Sequence, residues 1–159
     1  MYVFDLKQYI IKPSLEYLGL YSESAKNLLL GTLAVESKMG HYLHQVNGVA
    51  LGICQMEPNT HHDIWHNYLS QPSKKDLLRR ILVYFDASTR PMPERMIYDL
   101  RYAIVMCRLH YLRVPEPLPV ADDIEGMARY WKQHYNTELG KGTIDKFIEA
   151  YNKFVLGAI

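Results

Sequence analysis

Residues 28–60, LLLGTLAVESKMGHYLHQVNGVALGICQMEPNT, decide how the rest of the chain reads. The first part, with Leu28, Leu29, Leu30, Leu33, Ala34 and Val35, is apolar nearly all round. At helix length such a segment predicts a helix buried on every side rather than one lying on a surface. It runs into Glu36-Ser37 and then Lys38-Met39-Gly40, where Gly40 suits the left-handed stop of a helix. A carboxyl at that place meets two opposing influences. Desolvation and the negative pole of the helix both disfavour its charged form, so its pKa is expected to be raised. A carboxylic acid kept protonated near neutral pH is what general-acid catalysis uses. The bland alternative is a solvated Glu on a last helical turn.

Outward from this stretch the chain reads as helices separated by short breaks. Phe4, Leu6, Ile10, Leu15 and Leu18 recur at helical spacing, interrupted by Pro13, which predicts one kinked helix or two short ones closed by Gly19. Ser22 or Ser24 can cap the central helix. Residues 40–52 are rich in Gly, His and Asn, and predict a loop with at most a short hairpin, forming one wall of a cleft. Pro58 suits the first turn of a new helix, running to about Leu69. Leu77, Leu78, Ile81, Leu82 and Phe85 mark an amphipathic helix, and residues 86–93 a linker-like loop. Glu94 to Val114 is the longest helical stretch. Pro115, Pro117 and Pro119 then exclude regular helix, Asp122 or Asp123 opens another helix to about His134, and Thr143 caps the last. Nothing strand-like of useful length and no internal repeat is present. The expectation is a single all-α domain over residues 1–159.

At 159 residues the chain suits one domain with one sizeable core. An apolar share of 48% and a charged share of 22% are ordinary for a globular protein. The formal net charge of +1 argues against electrostatic capture of nucleic acid or of an anionic membrane. No window is long enough for membrane insertion. The 13 tyrosines are the compositional excess; most are expected in the core, while exposed ones suit stacking on sugar rings. Cys54 and Cys107 make no disulfide framework and read as two free, buried thiols. The opening MYVFDLKQYIIKPS has no basic leader with an apolar run and cleavage site, so no signal peptide is expected.

Three motifs in order carry a resemblance. Glu36-Ser37 is followed by Gly48, Ala50 and then Gly52-Ile53-Cys54-Gln55-Met56-Glu57-Pro58-Asn59-Thr60, and later by His134-Tyr135-Asn136 with Gly140 beyond. Together they resemble the lytic transglycosylase and goose-type lysozyme branch of the lysozyme-like superfamily. There a Glu-Ser pair precedes a Gly-Ala-x-Gly-Leu-Met-Gln-x-x-Pro-x-Thr block and an Ala-Tyr-Asn-x-Gly motif. The departures are a longer gap between Gly48 and Gly52, Met39, Gly40 and His41 after Glu-Ser, Cys54 where Met is common, and Glu57 where an apolar residue is usual. The third motif lacks its Ala and has a stretched spacing to Gly.

The resemblance implies a lysozyme-like fold and cleavage of the β-1,4 bond between N-acetylmuramic acid and N-acetylglucosamine in peptidoglycan, with no cofactor. Glu36 would be the catalytic acid and base, and Ser37, Gln55 and Tyr135 would contact substrate. Each of the three has a structural alternative: a helix-end hydroxyl on a carbonyl for Ser37, a loop-stabilising amide for Gln55, a core tyrosine for Tyr135. Glu57 is the candidate second carboxylate, able to activate water and turn the outcome from an anhydro sugar to hydrolysis. Its place before Pro58, at a helix N-terminus, also explains it without catalysis. A wall-cleaving enzyme without a signal peptide suggests a bacteriophage product, made in the cytoplasm and acting on the cell wall as an endolysin or a virion component, with virion proteins as further partners.

Two rivals stand beside this. His62 and His66, one helical turn apart in THHDIWH, can share a metal ion, which would suit a zinc amidase or peptidase. No third ligand stands at motif spacing, so no metal is assigned. The other rival is a non-catalytic phage structural or wall-binding module, for which a buried acid has no use.

Overall fold

The computed structural model describes residues 1–136 and 139–157, and these are mostly helical with no strand. Two isolated bridges, His44 with Leu51 and Leu51 with Met56, are the whole of the hairpin expected in the 40–52 loop. None of the described helices is long and apolar enough to cross a membrane.

The first helix, α1 (residues 3–17), is continuous through Pro13, one helix rather than two short ones. A wide turn at Leu6–Ile11 precedes the proline, and Lys12 donates its amide to Lys7 O. That extra residue moves the buried face upstream. Val3, Leu6, Ile11, Leu15 and Leu18 are buried, with Ile11 five positions after Leu6, whereas Phe4 is 51% exposed. The periodicity that places Phe4 inward assumes an undisturbed turn.

Helix α2 (Glu23–Ser37) is the axis of the molecule. Ser22 caps it by accepting from Ala25 N at 3.0 Å. Leu28, Leu29, Leu30, Leu33 and Ala34 are almost wholly out of solvent, as an all-round apolar helix requires. Gly31 is where the neighbouring helix comes closest: a Cβ there would lie 2.2 Å from Phe147 Cζ. Thr32 spends its proton on Leu28 O at 2.8 Å, so the Tyr111 hydroxyl at 2.7 Å donates to it. This is how a polar side chain is accommodated in the core.

Helices α3 (residues 58–68), α4 (Lys75–Tyr84) and α5 (Leu100–Leu112) follow. The stretch 94–114 is not one helix. A turn at Arg95–Tyr98 stops at Asp99, whose extended backbone and side chain cap α5 through Tyr102 N. An Asp inside an apolar repeat competes for such a cap, and here it wins over continuation. Helices α6 (residues 124–136) and α7 (residues 144–156) close the chain, capped by Asp123 and Thr143. Helix α2 packs against α5, α6 and α7, while α1 lies on α5. The central helix is thus packed along its length, with its exposed residues in the first turn at Ser22 and Glu23.

Candidate active site

The last turn of α2 carries Glu36. After Ser37 the backbone takes three left-handed residues in succession, Lys38, Met39 and Gly40, with φ of 51°, 58° and 86°. The stop therefore begins at Lys38 rather than Gly40. The amides of Lys38 and Met39 turn back to Ala34 O and Leu33 O, satisfying two carbonyls near the end of the helix.

Glu36 is half-buried, and its Oε1 accepts from Trp131 Nε1 at 2.9 Å. Burial drives its pKa up from 4.5 to about 7, against the opposing pull of the indole N–H. The negative pole of α2 acts in the same direction as burial. Near neutrality a substantial share of Glu36 holds its proton, as a general acid must.

The carboxyl faces a cleft of about 1120 Å³. One wall is the loop that carries Tyr42, Gln45 and Ala50; a second is the segment with Gln55, Met56, Glu57 and Thr60; the third is α6 and the loop into α7. In the first wall Asn47, not Gly48, takes the positive φ. Gly48 instead leaves room for Gln45, whose Oε1 accepts from Ala50 N at 3.2 Å. Gly52 has both constraints: its φ is +75°, and a Cβ would lie 2.3 Å from Met96 O.

The candidates fall in different places. Gln55 lines the cleft with a φ of 49°, and its Nε2 donates to Gly52 O at 2.9 Å, leaving Oε1 as its acceptor. Tyr135 also lines it; its hydroxyl donates to Cys54 O at 2.7 Å, bridging α6 to the Gln55 segment. Glu57 is exposed on the same cleft, at the start of α3, and its side chain caps nothing. Ser37 is fully buried and lies outside the lining. Its Oγ donates to Leu33 O at 3.2 Å and accepts from Gly40 N at 2.9 Å, which ties down the turn after the acid. Ser37 thus shapes the placement of Glu36 from behind.

Two residues of the site went unmarked in the sequence. Trp131 holds the carboxyl; it stands one turn before Tyr135, and that i, i+4 pairing was the available signal. His110 lines the cleft beside Tyr135, with ring centroids 4.6 Å apart. It donates Nε2–H to His134 O at 2.9 Å, and burial lowers its pKa to about 4. The ring is therefore neutral. The thiols of Cys54 and Cys107 are both free and buried.

The histidine cluster serves other partners. His61 is buried against the Tyr102 hydroxyl at 2.7 Å, which also accepts from Trp65 Nε1. His62 stacks on His66 and accepts from Arg90 at 2.8 Å, while Asp63 pairs with Arg113. Among the described residues no three His, Cys, Asp or Glu side chains gather as metal ligands would.

Comparison of the chain with protein-family models, with curated proteins and with solved structures found no match.

Proposed function

We propose that the protein is a peptidoglycan glycosidase in which Glu36 protonates the departing glycosidic oxygen between N-acetylmuramic acid and N-acetylglucosamine. The observation that carries this is a half-buried carboxyl with a pKa of about 7, aimed into a cleft of sugar-binding size and held by an indole. Tyr135, His110 and the Gln55 amide give that cleft aromatic faces and hydrogen-bonding groups, the combination a pyranose ring uses. In the lytic transglycosylase course, bond cleavage leaves Glu36 as a carboxylate. The substrate's own N-acetyl group steadies the cationic sugar carbon. Glu36 then takes the proton of the muramoyl 6-hydroxyl as that oxygen attacks, closing a 1,6-anhydro ring and restoring the acid.

One observation favours a second outcome on the same bond. Glu57 lines the same cleft and is exposed, so it can accept a proton from water and give hydrolysis instead.

Mass spectrometry of purified peptidoglycan, digested by the wild type and by Glu36→Gln, separates these. Products lighter by one water than reducing muropeptides, lost in the variant, support the transglycosylase. Reducing ends, lost in Glu57→Gln as well, support hydrolysis. Normal turnover by Glu36→Gln would overturn the assignment, since loss of a general acid costs about two orders of magnitude or more.

A further inference from the structure

The cleft is not evenly charged. Among the described lining residues the acidic side chains, Glu36 and Glu57, come from α2 and the start of α3, while Lys141 and Lys146 come from the loop before α7 and its first turn, the lip of the third wall. Both lysines are exposed, and none of the ion pairs among the described residues uses either. Asp145, the neighbour of Lys146, lies outside the lining.

This lip is anchored rather than loose. Lys132 Nζ donates to Asn136 Oδ1 at 2.8 Å and to Gly140 O at 3.0 Å. Gly142 sits on the indole that holds Glu36: a Cβ there would be 2.3 Å from Trp131 Cη2. Lys146 lies in the first turn of α7 and reaches back to Lys141 O at 3.4 Å, which sets its ammonium group beside the Lys141 backbone. The lip is thus fixed to the far edge of the ring whose near edge binds the acid.

A glycan backbone is uncharged and has no use for two ammonium groups. The side arm of a muramoyl unit has one, because its peptide stem carries free carboxylates. We propose that Lys141 and Lys146 bind carboxylates of the acidic peptide stem on the muramoyl unit beside Glu36, so that the protein selects stem-bearing strands. This rests on the glycan reading above. Each lysine acts as an exposed, salt-screened charge, and two together give about a tenfold preference at low ionic strength.

The test is binding by the Glu36→Gln protein to three probes: uncrosslinked stem-bearing strands, strands stripped by an amidase, and chitooligosaccharides. Stripping hydrolyses the lactyl–peptide amide, so these strands gain a free lactyl carboxylate and lose the carboxylates of the peptide. The expected result is about tenfold tighter binding of stem-bearing over stripped strands, fading with salt. Adding Lys141→Ala and Lys146→Ala should bring that ratio close to one, and adding Lys141→Arg and Lys146→Arg should retain it. A ratio of one at the outset, a ratio indifferent to the alanines, or its loss in the arginine pair would each overturn the proposal. So would a lysine-dependent preference found only between stripped strands and chitooligosaccharides, which would make the lactyl group the ligand. Failure of the catalytic reading is distinguishable: a wild type that releases no products yet binds with lysine-dependent stem preference sinks the enzyme and supports the lip.

Discussion

Replacing Glu36 by Gln should disable the site and strengthen the fold, and the gain should appear only at higher pH. In the unfolded chain the carboxyl titrates near 4.5, and in the folded protein near 7. Between those values the unfolded chain has released its proton while the folded protein keeps it. Stability from this group is therefore fully present below about pH 4.5 and is lost as pH rises through 7. At about 1.4 kcal/mol per pH unit, the gap is worth about 3 kcal/mol at pH 8. Gln does not titrate and keeps an oxygen for the Trp131 N–H. Relative to the wild type, Glu36→Gln should thus gain about 3 kcal/mol between pH 4 and pH 8, or roughly 6–12 °C of midpoint for a chain of this length. The buried histidines His61 and His110, whose pKa values are lowered to about 4, give the opposite pH trend, but they are common to both proteins and cancel in the difference. Paired thermal or urea melts at pH 4, 6 and 8 read the effect. Parallel pH profiles for the two proteins, or a variant weaker at pH 8, would refute a buried acid with a raised pKa.

Trp131→Phe removes the donor that favours the charged form of Glu36, so the alkaline limb of the pH–rate profile should move up by about one pH unit; an unchanged or lowered limb would contradict the role given to the indole. Ser37→Ala should cost about 1–2 kcal/mol through the lost turn bonds while leaving KM near normal, since the hydroxyl faces away from the cleft; a large rise in KM in steady-state kinetics would put it back in contact with substrate. Gly52→Ala meets both a positive φ and the Met96 carbonyl, so chemical denaturation should show a loss of about 2 kcal/mol or more, against well under 1 kcal/mol for a tolerated alanine.

What could be read from the sequence was what local pattern controls. The apolar run from Leu28 to Ala34 marks a helix buried on all sides, and a Glu at its end has a raised pKa for the same reason. Gln55, Tyr135 and Glu57 line one cleft with Glu36; only the resemblance carried by the motifs grouped Gln55 and Tyr135 with the acid, and Glu57 had a helix-terminus explanation of its own. Other features depend on contacts that no local pattern records. The partner of Glu36 is 95 positions away. The wide turn that turns Phe4 outward depends on how Pro13 is accommodated within a packed α1, and the break at Asp99 on a side chain choosing a cap over a helix. Ser37 shows the limit most clearly. A hydroxyl next to a buried carboxyl reads equally well as a ligand contact or as a brace, and only the direction of its two bonds separates them.

The bond between the Trp131 indole and the Glu36 carboxyl also makes the cleft optically legible. The chain has only two tryptophans, and Trp65 is engaged elsewhere, with Tyr102. In a Trp65→Phe background the emission of Trp131 comes from a fluorophore hydrogen-bonded to the titrating group itself. Its intensity should follow the loss of the Glu36 proton, with a midpoint near pH 7. A sugar ring settling beside the indole should shift the same signal in the absence of any turnover.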